Sequence, residues 1–195
     1  MNIFNLSQTI VKPFLESNKC PWEWLNNIEE YIKKIGETLD ETYERYPNNI
    51  WISKSSSVAK SAEIIGPCII GHNSKIKHCA YIRENVIIGE ECSVGNSCEI
   101  KNSILFNGVR ADHYNYIGDS ILGYKAHLGA GVILSNLRLD KKNIVIQNID
   151  TNRRKVGSFI GDNVEIGCNS VLNPGVIVDK NIKIPPLTSV KGIIK

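Results

Sequence analysis

The sequence predicts an all-β solenoid whose coils have three faces, with a parallel sheet on each face. Aliphatic residues recur at every sixth position, a period that suits neither an α-helix, at about 3.6 residues per turn, nor a single strand, at about two. The first run consists of Ile52, Val58, Ile64, Ile70, Ile76, Ile82, Ile88, Val94 and Ile100, and the second of Ile160, Ile166, Leu172, Val178, Ile184 and Val190. Three hexads make one coil of about 18 residues, so that equivalent side chains stack.

A second periodic signal supports the coil. Four positions after each aliphatic residue comes a small or inward-compatible side chain: Ser56, Ala62, Cys68, Ser74, Ala80, Val86, Cys92, Cys98, and later Val164, Ser170, Val176, Ile182 and Thr188. Glycine often follows the aliphatic residue directly, at Gly71, Gly89, Gly95, Gly161 and Gly167. We expect these glycines to permit the tight corners between short strands.

The repeat slips between Ile100 and Leu134. The expected inward series contains five-residue steps and runs Leu105, Ala111, Ile117, Leu122, Leu128 and Leu134. Function in a solenoid is expected where the strict repeat is broken.

The chain divides into an N-terminal segment, 1–47, and a β-helix domain, 48–195, which carries an inserted loop at 137–158. The segment lacks the hexad and is predicted to be helical between Pro21 and Gly36, which suit a helix start and stop. One face of that helix would carry Leu25, Ile28, Ile32 and Ile35. The simplest role is a cap on the first coil, and binding of a partner is the alternative.

Composition favours a cytoplasmic protein that contacts neither nucleic acid nor membrane. The net charge is only +3, no basic and apolar leader opens the chain, and no apolar run reaches the length of a membrane span. The six cysteines include no CxxC pair. We expect reduced packing cysteines, with Cys168 nearer the surface and a nucleophilic role for it as the alternative.

The inserted loop concentrates positive charge. It is predicted to be a projecting hairpin or loop and holds two acidic and six basic residues, Arg138, Lys141, Lys142, Arg153, Arg154 and Lys155. Its net +4 exceeds the +3 of the whole chain. It is either a solvated loop or a cradle for phosphates.

Arg83 and Lys101 are candidates for an anion site. They lie one coil apart, so their backbones should stack about 4.8 Å apart at the same corner. Two such cations repel by about 1 kcal/mol in water, although Glu99 could neutralise Lys101. A phosphoryl group is the expected guest, because arginine can bind it through two parallel hydrogen bonds.

His113, within RADHYNYIGD, is a candidate general base, with a purely structural histidine as the alternative. His72 and His78, six residues apart, should lie on different faces. No metal site is therefore expected.

Several segments resemble the left-handed parallel β-helix acyltransferases. From Arg83 to about Val190 the similarity is to the C-terminal domain of the bifunctional glucosamine-1-phosphate acetyltransferase / N-acetylglucosamine-1-phosphate uridylyltransferase. The segments are AYIRENVIIG, GNSCEIKNS, DHYNYIGDSILG, HLGAGVILSN and IGDNVEIGCNSVL. The resemblance implies a left-handed coil and a homotrimer with sites between neighbouring coils.

The resemblance also implies roles for single residues. Arg83 and Lys101 match the pair that holds the sugar phosphate, and His113 matches the general base. Further substrate positions match Tyr116, Lys142 and His127. At the position of His127 the family has asparagine. Positions along the acetyl-coenzyme A groove match Ala130, Asn136, Leu137 and Cys168. At the position of Cys168 the family has serine.

Two family features have no match in residues 1–195. We expect Arg153, Arg154 or Lys155 to substitute for the family's basic C-terminal extension. We expect no uridylyl transfer from these residues alone, so that a nucleotidyltransferase partner would have to act in trans.

The expected activity is therefore transfer of acetyl from acetyl-coenzyme A to the amine of a phosphorylated amino sugar such as glucosamine-1-phosphate. The alternative is a non-catalytic sensor or assembly module related to sugar nucleotidyltransferases. A metal-dependent hydratase of the γ-carbonic anhydrase type lacks the needed histidine spacing.

Overall fold

Three parallel sheets form the walls of the solenoid in a computed structural model that describes residues 2–15 and 20–195. Sheet A contains β1 Tyr43–Tyr46, β2 Ile50–Ser53, β5 Cys68–Ile70, β8 Val86–Ile88, β11 Ser103–Leu105, β14 Ile121–Leu122, β19 Phe159–Ile160, β22 Ile177–Val178 and β25 Ile193–Ile194. All its pairings are parallel except that of β1 with β2.

The other two walls each have seven strands. Sheet B contains β3 Ser57–Val58, β6 Lys75–Ile76, β9 Ser93–Asn96, β12 Arg110–His113, β15 His127–Leu128, β20 Glu165–Ile166 and β23 Lys183–Ile184. Sheet C contains β4 Glu63–Ile64, β7 Tyr81–Ile82, β10 Glu99–Lys101, β13 Tyr116–Gly118, β16 Ile133–Leu134, β21 Val171–Leu172 and β24 Ser189–Val190.

The predicted aliphatic ladder lines one continuous core inside the three walls. The irregular series is confirmed as well, because Leu105, Ala111, Ile117, Leu122, Leu128 and Leu134 are all buried there. Val58 is an exception at 37% exposure. It lies on β3, the last strand of sheet B, where no further coil covers it. The parallel β-helix of hexapeptide repeats is thus confirmed.

The glycines serve close packing of coils and not the corner conformation that we expected. A Cβ at Gly71 would lie 2.7 Å from the backbone carbon of Gly89 on the next coil. The left-handed backbone occurs two residues later, at positions such as Asn73, Glu91 and Asn163, each with φ of 56°. Asparagine tolerates this conformation better than most residues, and it recurs here.

The N-terminal segment mainly covers one side of the solenoid, and the cap that we expected on the first coil is limited to its last part. It comprises short 3₁₀ turns at Leu6–Gln8 and Lys12–Phe14, then α1 Pro21–Trp24 and α2 Ile28–Gly36. The helical region begins and ends as predicted but is interrupted between α1 and α2. Its last part is β1, which pairs with β2. The boundary at residue 48 stays a prediction.

A second apolar core forms between this segment and the outer face of sheet A. The outward-pointing side chains of sheet A are buried beneath the N-terminal segment, and they belong to Ile69, Ile87, Ile104, Ile121 and Phe159. Sheet A strands such as CII and VII are apolar at every position, whereas those of sheets B and C carry polar residues outward. An apolar outer face must be covered to leave water.

The inserted loop contains the predicted hairpin, β17 Val145–Ile146 and β18 Ile149–Asp150. It does not only project into solvent, because Ile144, Ile146 and Val156 are buried in the second core. The loop therefore folds back against the N-terminal segment, and Arg153 donates a hydrogen bond to Asn26.

Candidate functional site

Arg83 and Lys101 stack at the corner where sheet C leads into sheet A, as their spacing predicts. The Arg83 N–H donates to the carbonyl of Ile100 at 2.8 Å, which sets Arg83 beside Lys101. On the next coil Lys101 is paired with Gly118. The third residue of this column is thus a glycine, which leaves room for the side chains of Tyr116 and Asn136.

Both cations face carboxylates. An Arg83 Nη atom lies 3.0 Å from the Glu99 carboxylate, and the other lies 3.4 Å from Glu84. The hydrogen bond to Glu99 raises the pKa of Arg83. The Arg83 Nε is buried and has no hydrogen-bond acceptor among the described residues. An anion bound here would have to compete with Glu99.

Asp119 is the central residue of this corner, and the sequence analysis did not identify it. Its side chain is 5% exposed, and its Oδ2 lies 3.7 Å from the Lys101 Nζ, which is itself 13% exposed. Its Oδ1 accepts a hydrogen bond from Asn102 at 2.8 Å, and its Oδ2 accepts one from Asn136 at 2.6 Å. Asp119 therefore links Lys101, which is predicted to hold the phosphate of the acceptor sugar, to Asn136, which is predicted to border the coenzyme.

Arg153 of the inserted loop reaches the same carboxylate. Its Nη2 lies 3.9 Å from Asp119 Oδ1, and burial lowers the pKa of its guanidinium. Arg153 was predicted as a possible grip for the coenzyme. The structure instead turns it inward, toward Asp119 and Asn26.

Tyr116 stands on the outer face of sheet C, one coil above Glu99, with which it is paired. A Cβ at Gly118 would lie 2.7 Å both from the Tyr116 hydroxyl and from the Asn136 amide nitrogen. Glycine is therefore needed for these two side chains to approach. Burial, with Glu99 and Asp119 nearby, raises the pKa of Tyr116. The hydroxyl remains protonated at neutral pH.

His113 lies at the other edge of sheet C, at the corner where sheet B leads into it. It ends β12, and its ring is exposed. No hydrogen bond or ion pair joins it to Arg83 or Lys101 within the part of the chain that the structure describes. Buried Asn115 fixes its backbone, accepting from the His113 N–H at 3.2 Å and donating to the Gly129 carbonyl at 2.9 Å.

Two predicted coenzyme residues follow His113 along this corner. The His113 carbonyl accepts from Gly131 at 2.9 Å, and the Ala130 carbonyl accepts from Asn169, next to Cys168, at 2.8 Å. His113, Ala130 and Cys168 therefore occupy successive coils. The Gly129 N–H is already bonded to Ile166, at 2.7 Å. The Gly129 N–H is therefore not free to bind a ligand, and the neighbouring Ala130 N–H is the better candidate donor at this corner.

The other predicted coenzyme residues, Asn136 and Leu137, lie at the opposite edge of sheet C. Leu137 borders a surface groove of about 630 Å³ that Arg138, Val171 and Lys191 also line. Arg138 is held by Asp140 through two hydrogen bonds of 2.8 and 2.7 Å.

His127 and Lys142 are not brought to the Lys101 corner in this chain. His127 is on sheet B, where its Nδ1 lies 2.9 Å from Glu165. Lys142 is exposed on the inserted loop, and its backbone N–H bonds to Asp140 at 3.2 Å. The predicted substrate residues thus occupy two different walls and the inserted loop.

Cysteine burial follows the repeat. Cys68, Cys92 and Cys98 are buried, whereas Cys79 and Cys168 are exposed. Burial raises the pKa of the Cys92 thiol to about 12. Such thiols are poor nucleophiles, since the thiolate is the reactive form.

Among residues 2–15 and 20–195, no group of three or more His, Cys, Asp or Glu side chains could hold a metal ion. No described helix is long and apolar enough to span a membrane.

The sequence is similar to the GMPPB C-terminal domain and to bifunctional GlmU proteins. Residues 64–156 match the family model of the GMPPB C-terminal domain. The bifunctional protein GlmU of Methanococcus maripaludis is 36% identical over 168 residues, which cover 83% of this chain and 41% of that protein. GlmU of Methanococcus aeolicus is 34% identical over 193 residues, covering 88% and 46%. The chain thus spans less than half the length of these relatives.

A solved structure with lower similarity is a hexapeptide transferase family protein from Anaplasma phagocytophilum. It is 18% identical, with a TM-score of 0.38, and the match covers 76% of this chain and 77% of that one. A match at this level says nothing about substrate. The repeat and the sequence matches together identify a left-handed hexapeptide-repeat β-helix of the acyltransferase type, similar to the C-terminal acetyltransferase domain of bifunctional GlmU.

Proposed function

We propose that the chain is an acetyl-coenzyme A-dependent N-acetyltransferase whose acceptor is a phosphorylated amino sugar such as glucosamine-1-phosphate. The observation that carries this proposal is the alignment of His113, Ala130 and Cys168 on successive coils of one corner. A general base and the coenzyme groove must meet in a transferase of this kind. Sheet C separates that corner from the Arg83 and Lys101 corner, and an acceptor would lie along its outer face.

In the proposed reaction the amine nitrogen attacks the thioester carbonyl of acetyl-coenzyme A. His113 takes the proton from the amine, and the Ala130 N–H faces the negative charge that develops on the carbonyl oxygen. The carbon–sulfur bond then breaks, and the coenzyme leaves as a thiol after receiving a proton from His113. No covalent enzyme intermediate is required.

Binding of the coenzyme would use both edges of sheet C. Ala130 and Cys168 would border one side, and Asn136 and Leu137 the other. Lys191, which lines the groove beside Leu137, is the cation best placed for its phosphates, because Arg138 in the same groove is held by Asp140. Arg153 is likewise engaged, by Asp119.

A homotrimer supports this site better than a single chain. Lys101 and Tyr116 lie on sheet C, whereas His127 lies on sheet B. The outer faces of these two sheets point in different directions within one coil. A second copy could bring His127 of its sheet B to the sheet C face of the first. Light scattering after gel filtration should then give three times the chain mass of 21.8 kDa.

The test is release of free thiol from acetyl-coenzyme A with a panel of amino sugars and their 1-phosphates. His113→Ala should lower the rate by about 10²–10⁴-fold, the usual contribution of a general base. His78→Ala is the matched control, because His78 occupies the same corner two coils away. Equal rates in wild type and His113→Ala would refute the assigned base.

A second candidate is a non-catalytic sensor or assembly module. The specific observation in its favour is that the described residues provide Arg83 and Lys101 with carboxylates but the His113 ring with no orienting partner. Coenzyme binding without thiol release for any acceptor would support a sensor. No coenzyme binding would support an assembly module, which could act beside a separate nucleotidyltransferase.

A further inference from the structure

We infer that Asp119 is a positioning residue that sets the acceptor and coenzyme sides of the site relative to each other. This inference rests on the proposed transferase function. Asp119 itself is buried, so it would not touch the reacting atoms. It acts through Lys101, which is predicted to hold the acceptor phosphate, and through Asn136, which is predicted to border the coenzyme.

The geometry gives each carboxylate oxygen two partners. Oδ1 accepts from Asn102 at 2.8 Å and lies 3.9 Å from Arg153. Oδ2 accepts from Asn136 at 2.6 Å and lies 3.7 Å from Lys101. Asn102, Asp119 and Asn136 follow one another on three successive coils. A carboxylate accepts hydrogen bonds on both oxygens, whereas a side-chain amide has one accepting oxygen and one donating NH₂ group. A carboxylate therefore suits this position better than an amide.

The charge of Asp119 is needed as well as its shape. Lys101 and Arg153 are largely buried and face the same carboxylate. Without the negative charge, two desolvated cations would lie close together, and repulsion at low dielectric would drive them apart. Lys101 would then leave the position from which it can meet a phosphate.

Asp119 also fixes the inserted loop. Its backbone is left-handed, with φ of 48°, and its carbonyl accepts from the Gly157 N–H at 2.8 Å. Arg153 contacts the carboxylate of the same residue. Both contacts are made where the loop rejoins the solenoid, so the return of the loop and the order of the site depend on one residue.

The experiment compares Asp119→Asn with Asp162→Asn. Asp162 is a buried carboxylate of the same kind, which accepts from the N–H groups of Asn5 and Tyr124 at 2.7 and 2.9 Å and lies 3.7 Å from Lys180. It follows β19 in sheet A, away from the Lys101 corner. Thermal unfolding should show a comparable loss of stability in both variants.

Binding and kinetics should separate the two variants. In Asp119→Asn we expect the Kd for acetyl-coenzyme A, measured by calorimetry, to rise about tenfold, the effect of losing one charge-assisted hydrogen bond. The KM for the amino sugar phosphate should rise by a similar factor. In Asp162→Asn both should stay within about twofold, as expected for a distant surface of the fold.

Each outcome bears on the inference. Unchanged coenzyme Kd and acceptor KM in Asp119→Asn, with stability lowered as in Asp162→Asn, would reduce Asp119 to a structural role and overturn it. Equal changes in both variants would also overturn it. If wild type releases no thiol with any acceptor, the proposed function fails. Coenzyme binding that is weaker in Asp119→Asn but not in Asp162→Asn would even then support the positioning of Asn136.

Discussion

Removing the charge of Glu99 should strengthen anion binding at the Arg83 corner. Glu99 lies 3.0 Å from the Arg83 guanidinium, so it competes with a phosphate for that cation. In Glu99→Gln the guanidinium is released from its carboxylate. A phosphate beside Arg83 would also no longer be repelled by a negative charge on the order of 6 Å away.

The expected magnitude follows from Coulomb's law with a discount for solvent. At 6 Å the repulsion is about 0.7 kcal/mol in water and roughly four times that at an effective dielectric constant of 20. Arg83 and Glu99 are 32% and 36% exposed, so screening keeps the value near the lower end. About 1 kcal/mol, or fivefold tighter binding, is the expected gain.

The assay is calorimetric titration with inorganic phosphate at low ionic strength, repeated at about 1 M salt, where the Debye length of about 3 Å should remove most of the gain. Glu29→Gln is the matched control. It removes the same charge from an ion pair, with Lys33 at 2.6 Å, on α2. Weaker or unchanged phosphate binding in Glu99→Gln would refute the reasoning, because Glu99 would then support Arg83 and not compete for it.

Three further predictions concern separate parts of the molecule. Acetyl-coenzyme A should slow labelling of Cys168 by a thiol reagent but not labelling of exposed Cys79, and equal protection of both or of neither would contradict the coenzyme groove. Gly118→Ala should weaken coenzyme binding, because its Cβ would lie 2.7 Å from the Tyr116 hydroxyl and the Asn136 amide, and unchanged calorimetric affinity would contradict this. Burial raises the pKa of Tyr43 to about 12, above about 10 in an unfolded chain. Its contribution to stability is therefore present below pH 10 and lost as the pH rises toward 12. Melting temperatures of Tyr43→Phe should fall less than those of wild type in that range, and parallel curves would contradict the assignment.

The hexad predicted the inner surface of the solenoid well because inward positions leave no alternative to apolar side chains. It says nothing of the outer surface. The apolar outer face of sheet A was visible in strands such as Cys68–Ile70 and Val86–Ile88, which lack any polar residue. Strands of that composition must be covered on both sides. This signal would have placed the N-terminal segment on a side wall.

The candidate site was predicted only in part, for a related reason. Sequence spacing identifies residues that share a corner, and it correctly stacked Arg83 on Lys101. It cannot give the path of an irregular loop, so the approach of Arg153 to Asp119 was not foreseen. The signal for Asp119 was weak, since an aspartate in a left-handed corner position is ordinary. Only the convergence of several donors on it in three dimensions marks it out.

Charge balance at this corner favours an acceptor that carries both signs of charge. Arg83, Lys101 and Arg153 stand opposite Glu84, Glu99 and Asp119, so the cluster is close to neutral and attracts a simple phosphate only weakly. Glu99 also lies on the outer face of sheet C, beside Tyr116 and on the way to the His113 edge. An amino sugar phosphate would place its phosphate on Arg83 and turn its ammonium toward Glu99, whereas glucose-1-phosphate would offer Glu99 no cation. Glu99→Gln should therefore tighten binding of glucose-1-phosphate more than that of glucosamine-1-phosphate, and an equal gain for both sugars would show that Glu99 does not sense the amine.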